Sequence, residues 1–256
     1  MVKKGQVTVF IIAGILIIVA IALIFVFKDA VISGLSGERD VQSQLNIQMQ
    51  GITNVVSDCV DEKSVELVER LSLSGAVLNP LQVKHYYSKE ISILCKKIGD
   101  TCYNVIPSSE SIEKDIEGYM VEHLASCIDI FGFESGDLEV HSGEFSLDAT
   151  INRNSILYEI DYPVTLTLGT SERVKETFVK GYKTSFGEIL NVVKDVVEGE
   201  SLGEFDYIEY SVDNPKYWIE LRDTADTKVY KVVSGNEELR NEKESDLYRI
   251  VCCLVI

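Results

Sequence analysis

Six cysteines carry most of the chemistry that this chain's residue types and spacing can express: Cys59, Cys95, Cys102, Cys127, Cys252 and Cys253. Cys95 and Cys102 flank the six residues Lys96 to Thr101, with Gly99-Asp100 as a turn. That spacing suits a disulfide stapling the two arms of a hairpin. Cys59 and Cys127 each fall on the apolar stripe of a predicted helix, so a bond between them would tie two helices together. Cys252 and Cys253 are adjacent, and neighbours on a strand point to opposite faces. A bond between them would strain the backbone, which leaves one buried and one free thiol, or bonds to other chains. The alternative for all six is a set of small buried apolar side chains. Zinc fits poorly, because there is no C-x-x-C pair and only His123, four residues before Cys127, lies close to a cysteine.

Catalytic patterns are not found in the sequence. His85, His123 and His141 stand in no metal-binding spacing. There is no G-x-S-x-G elbow, no phosphate-binding glycine loop and no dinucleotide fingerprint. Among 41 acids some carboxylates will meet by chance, and one sequence cannot single out an acid–base pair. Glu220, Asp223 and Asp226 lack the order of a calcium loop and read as a solvated acidic turn. The aromatics Tyr86, Tyr87, Tyr207, Tyr210, Tyr217 and Trp218 are suited to carbohydrate or protein contact, and equally to strands, where tyrosine packs with its polar tip outward. No N-x-S/T acceptor occurs. No catalytic residue, metal or cofactor is therefore expected.

The elements that would position these groups divide into an apolar beginning and an acidic body. Residues 1–27 hold two of the 24 bases and none of the 41 acids, which leaves 22 bases against 41 acids, or −19, for the rest. Such a body repels phosphate, so nucleic acid is excluded as a partner. Val7 to Phe27 is an uncharged run of 21 residues, about 30 Å as a helix and enough to cross a bilayer. It exceeds the apolar region of a cleaved secretory signal, and no small-residue cleavage site follows Lys28.

After a linker at 28–40, Leu45, Met49, Ile52, Val56 and Cys59 recur at helical spacing opposite Gln44, Gln48, Gln50 and Asn54, and the stripe continues through Val65, Val68 and Leu71 to Ser74-Gly75. A hairpin is expected near Ile91–Cys95 and Tyr103–Ile106. A second helix starts at Pro107-Ser108-Ser109, with Ile112, Ile116, Met120, Leu124, Cys127 and Ile130 on its apolar face. From Asp137 to Thr184 the period becomes two, which reads as an antiparallel meander. Ile189 to Val197 suggests a helix closing at Gly199. Acidic turns at 199–214 precede strands at Tyr217–Leu221, Lys228–Val233 and Tyr248–Ile256. The expected class is α+β: a single N-terminal transmembrane helix (6–27) behind a basic leader (1–5), then an ectodomain of amphipathic helices on antiparallel sheet (41–198) and a mainly β C-terminal section (199–256).

The segment Lys3-Lys4-Gly5-Gln6-Val7-Thr8-Val9-Phe10 resembles the class III signal peptide of archaeal type IV pilins. That resemblance covers about 27 of 256 residues, and the remainder is loosely similar to uncharacterised archaeal surface proteins. It implies a prepilin peptidase that recognises Lys3, Lys4, Gly5 and Gln6 and cuts between Gly5 and Gln6. Many pilins carry glutamate at the fifth mature position, where it pairs with a neighbouring subunit; here that position is Phe10, which favours processing over filament assembly. The reading is a single-pass surface protein of the cell membrane, N-terminus cytoplasmic and body extracellular, with a structural or adhesive role. Its partners would be the lipid bilayer, the peptidase, and further copies or another envelope protein. An anchored, non-polymerising binding or accessory protein is the alternative, and an anchored enzyme a third.

Overall fold

The computed structural model describes residues 6–80, 82–86, 89–98, 101–224, 227–235 and 249–253, with side chains for most positions from Asp40 to Gly235. The first element, α1 (Gln6–Ser74), is one continuous helix of 69 residues, about 100 Å long. It runs through the expected linker at 28–40. Gly34 and Gly37 each cost roughly 1 kcal/mol of helix propensity, and no proline is present there to remove a hydrogen bond. The expected fold class is corrected here. In place of a short spanning helix, a linker and a separate amphipathic helix there is one long rod. Among the described residues no helix is long and apolar enough to cross a membrane, so the expected transmembrane helix is not supported.

The packed end of α1 buries Leu45, Met49, Ile52, Val56, Cys59, Val60, Leu67, Val68 and Leu71. Val65, expected on this stripe, is 38% exposed, and Ser64 is buried in its place. A 3.5-residue pattern drifts around a 3.6-residue helix by about 20° per heptad, which carries the buried line from one position to the next. The helix stops in a left-handed Gly75 (φ 78°), with the Ala76 N–H returning to the Leu71 carbonyl at 2.7 Å, a Schellman closure.

Two hairpins follow where one was expected: β1 (Val83–Tyr86) with β2 (Lys89–Ser92), and β3 (Cys95–Ile98) with β4 (Thr101–Asn104). Helix α2 (Ser109–Cys127) begins at Ser108, whose side chain accepts the Ser111 N–H and satisfies one of the orphan donors of the first turn. It buries Ile112, Ile116, Tyr119, Met120 and Leu124. A 3₁₀ turn at Phe131–Phe133 leads into the main sheet.

That sheet has four strands: β5 (Leu138–Ser142), β6 (Ser146–Asn152), β7 (Ser155–Leu168) and β8 (Ser171–Lys183). Strand β7 lies at the centre. Along one side β8 pairs with its full length; along the other, β6 takes the first half and β5 the second. The pairing with β8 shifts between Asp161 and Val164, at Pro163, which has no N–H for the ladder. Strand β7 thus continues through the bulge as one strand of 14 residues.

Helix α1 lies along β8 and β7. Lys175 donates to Thr53 (3.1 Å), Lys180 to Ser57 (2.8 Å) and Asp61 (2.6 Å), and Ser64 to the Tyr158 hydroxyl (3.1 Å). Helix α2 lies along β6. Helix α3 (Phe186–Leu202) ends at left-handed Gly203 (φ 72°), beyond the expected Gly199. Gly199 instead makes room for a ring: a Cβ there would sit 2.8 Å from Cδ2 of Phe205. A short helix α4 (Tyr207–Asp213) follows, then a three-stranded antiparallel sheet in the order β11 (Arg249–Cys253), β10 (Thr227–Ser234), β9 (Tyr217–Thr224). Ile219, Tyr230 and Val232 of this sheet belong to the same buried cluster as α1 and the main sheet.

Candidate functional site

Of the residues singled out for processing, Lys3, Lys4 and Gly5 lie outside the described residues, and Gln6 is the first residue of α1. The four cysteines singled out for disulfides are brought together in two bonds. Cys59 joins Cys127 with Cα atoms 5.8 Å apart, fastening α1 to the end of α2. Cys95 joins Cys102 with Cα atoms 5.6 Å apart, inside the β3–β4 hairpin. Cys252 and Cys253 lie on β11, opposite Tyr230 and Val229 of β10.

The histidines do not converge. His85 faces Glu90 at 3.6 Å and His141 faces Glu139 at 3.7 Å, each on exposed strand surface. His123 stacks on the Tyr119 ring at 3.9 Å, with Nδ1 2.8 Å from the Tyr119 carbonyl. Among the described residues no group of three or more His, Cys, Asp or Glu is placed to hold a metal ion. Glu220 pairs with Arg222; Asp226 lies outside the described residues.

A polar cleft of about 360 Å³ opens where α3 and α4 meet the β6–β7 turn. Its floor is the start of α3, which presses onto that turn. The Glu188 N–H donates to the Arg153 carbonyl (3.0 Å) and the Thr184 N–H to the Asn154 carbonyl (3.2 Å). Gly187 permits this approach, because a Cβ there would overlap the Asn152 carbonyl oxygen. The Glu188 side chain is buried (4% exposed) and takes two cations from the rim, Arg153 Nε at 3.1 Å and Lys216 Nζ. Burying a carboxylate is tolerated only with such partners, so Glu188 is a structural anion that draws the turn and the α4–β9 connection together.

One wall carries Asn191 and Asp195 of α3; the facing wall carries Tyr210 of α4, then Asn214 and Tyr217. The Tyr210 hydroxyl donates to Asp195 Oδ2 at 2.7 Å and spans the two walls. Burial, then the adjoining Asp195 carboxylate, hold the Tyr210 phenol well above its ordinary pKa of 10. Asn214 Nδ2 donates to the Tyr210 carbonyl at 3.0 Å, and Lys194 donates to Ser109 at 2.7 Å beside the opening. A second buried carboxylate of α3, Glu200, accepts from Tyr230 and from Lys228 Nζ (2.9 Å) and locks α3 to β10.

Of the aromatics weighed in the sequence, Tyr210 and Tyr217 line this cleft and Tyr207 and Trp218 do not; Tyr207, Tyr210 and Tyr217 all pack in part against the core. Sequence reasoning missed the helix that carries Tyr210. Its signal was Asp206 followed three residues later by Glu209: Asp206 accepts the N–H groups of Ile208 (2.8 Å) and Glu209 (3.1 Å) as an N-cap. Comparison with protein families, with characterised proteins and with solved structures finds no match for this chain.

Proposed function

We propose that this chain is an extracytoplasmic surface protein of type IV pilin-like kind, held at the cell membrane and used for structure or adhesion. The observation that carries the reading is the Cys59–Cys127 bond, which joins α1 to α2. Disulfides between secondary-structure elements form and persist in oxidising compartments and are rare in reducing ones. The Lys3-Lys4-Gly5-Gln6 leader supports the same route and supplies the peptidase and the bilayer as partners. The acidic body, −19 beyond residue 27, suits exposure to solvent and excludes nucleic acid on electrostatic grounds.

Within this class, a non-polymerising binding or accessory protein is the reading favoured by two observations. Phe10 stands where a filament subunit commonly carries glutamate, and the body holds a cleft walled by polar groups at a distance along the chain from the leader. Treating intact cells with an external protease tests the location. Loss of the chain with cytoplasmic markers spared is expected; full protection, released only by lysis, would place it inside and overturn the reading.

A further inference from the structure

We infer that the α3–α4 cleft is a binding site for an uncharged saccharide. This deepens the adhesive reading and takes its biological setting from it, but stands on the cleft itself. Among the residues that line it are Asn152, Asn191, Asp195, Tyr210, Asn214 and Tyr217. They offer three carboxamides, one carboxylate and two phenol rings. Carboxamides and carboxylates are planar groups that can meet two neighbouring hydroxyls at once, the carboxamide as both donor and acceptor. Tyrosine supplies an apolar face with a polar tip, which suits the mixed C–H and O–H surface of a sugar ring.

The charges favour a neutral ligand. Arg153 and Lys216 are matched in charge by the buried Glu188 and by Asp195, so these four groups together leave the cleft without net charge. Asp195 is the exposed acid of the wall, and Tyr210 already occupies one of its oxygens. A strongly anionic ligand would meet Asp195; a cationic one would meet Arg153 and Lys216 at the rim. The volume, about 360 Å³, lies at the small end of ligand sites and matches one or two sugar rings rather than a long chain.

The wall is preorganised. Gly187 lets α3 close onto the β6–β7 turn without a Cβ, and the Tyr210–Asp195 hydrogen bond fixes the separation of α3 and α4 before any ligand arrives. A ligand would therefore meet groups already in place, which lowers the ordering cost of binding.

The experiment uses the purified, oxidised chain against an array of neutral oligosaccharides (glucose, mannose and N-acetylglucosamine oligomers) and of sulfated and sialylated ones, with calorimetry on any that bind. Binding of a neutral oligosaccharide is expected, weakened about tenfold or more by Asn191→Ala and by Asp195→Asn. Asn191 is exposed, so its replacement leaves the fold intact. Hydrogen exchange should show ligand protection at residues 206–217. No neutral binding by the folded chain, binding confined to acidic sugars, or binding indifferent to both substitutions would each overturn the assignment. None of these results bears on where the protein resides, which the protease experiment decides separately.

Discussion

The Glu113 carboxylate on α2 accepts the backbone N–H of Ile151 on β6 at 2.8 Å, and one helical turn on, Glu117 accepts that of Ala149 at 3.2 Å. Four helical residues rise about 6 Å and two strand residues about 6.7 Å, so carboxylates four apart on a helix can meet alternate N–H groups along a strand. Those N–H groups point away from β7 and would otherwise form an open sheet edge. Replacing both glutamates by alanine should lower stability by about 1–3 kcal/mol per lost partner and expose the edge to pairing. Urea unfolding with an unchanged slope but a lower midpoint, together with light scattering that rises with concentration, checks it; Glu113→Gln with Glu117→Gln, which keeps an acceptor oxygen, should be milder.

Replacing Cys59 and Cys127 together by serine should cost roughly 4 kcal/mol, because the bond closes a long loop, and removing the Cys95–Cys102 bond about 2.5 kcal/mol on the same chain-entropy argument. Thermal unfolding of the two variants gives the order. Alkylation without reductant should leave all four cysteines unmodified; free alkylation of Cys59 and Cys127 would remove the compartment argument.

Two glycines should respond in opposite directions. Gly187→Ala drives a Cβ into the Asn152 carbonyl and should cost about 3 kcal/mol through forced separation of α3 from the β6–β7 turn. Gly118→Ala, on the exposed face of α2 with nothing within 4 Å of the added atom, should stabilise by about 0.5–1 kcal/mol. Denaturant midpoints of the two variants check both signs.

Tyr158, Tyr210 and Tyr230 all have phenol pKa values raised above the ordinary 10, each chiefly by burial. A group whose folded pKa is raised keeps its proton in the native state while the unfolded state loses it. The native state then binds more protons above pH 10, and stability falls as pH climbs from there towards the folded values. Absorbance titration near 295 nm should show part of the 12 tyrosines ionising only with unfolding. Tyr230→Phe should remove one of these late tyrosines and leave Glu200 held by Lys228 alone.

Helix α2 was legible because its signals are local: a seryl cap and Ile112, Ile116, Met120 and Leu124 at helical spacing. The same local logic misled at Val65, where a short pattern could not show its drift, and at Gly199, whose missing Cβ serves Phe205 rather than a helix end. Tyr162-Pro163 interrupts the alternation within β7, which periodicity alone cannot bridge; the ladder to β8 absorbs the interruption as a bulge. The 28–40 segment carries glycines that read as breakers, yet helix on both sides propagates through them. Glu113 sits in the first turns of α2, and its partner, Ile151, is a backbone group on another element that leaves no trace in the spacing. For the cleft, Tyr210 and Tyr217 were visible as aromatics, but Asn152 and Arg153 reach it from a turn that only the packing of α3 brings near.

The N-terminal mass of the chain recovered from the cell-surface fraction tests the surface-protein reading most directly. A mature protein beginning at Gln6 is predicted, cut after Lys3-Lys4-Gly5. An intact Met1, or a start beyond Lys28, would contradict it.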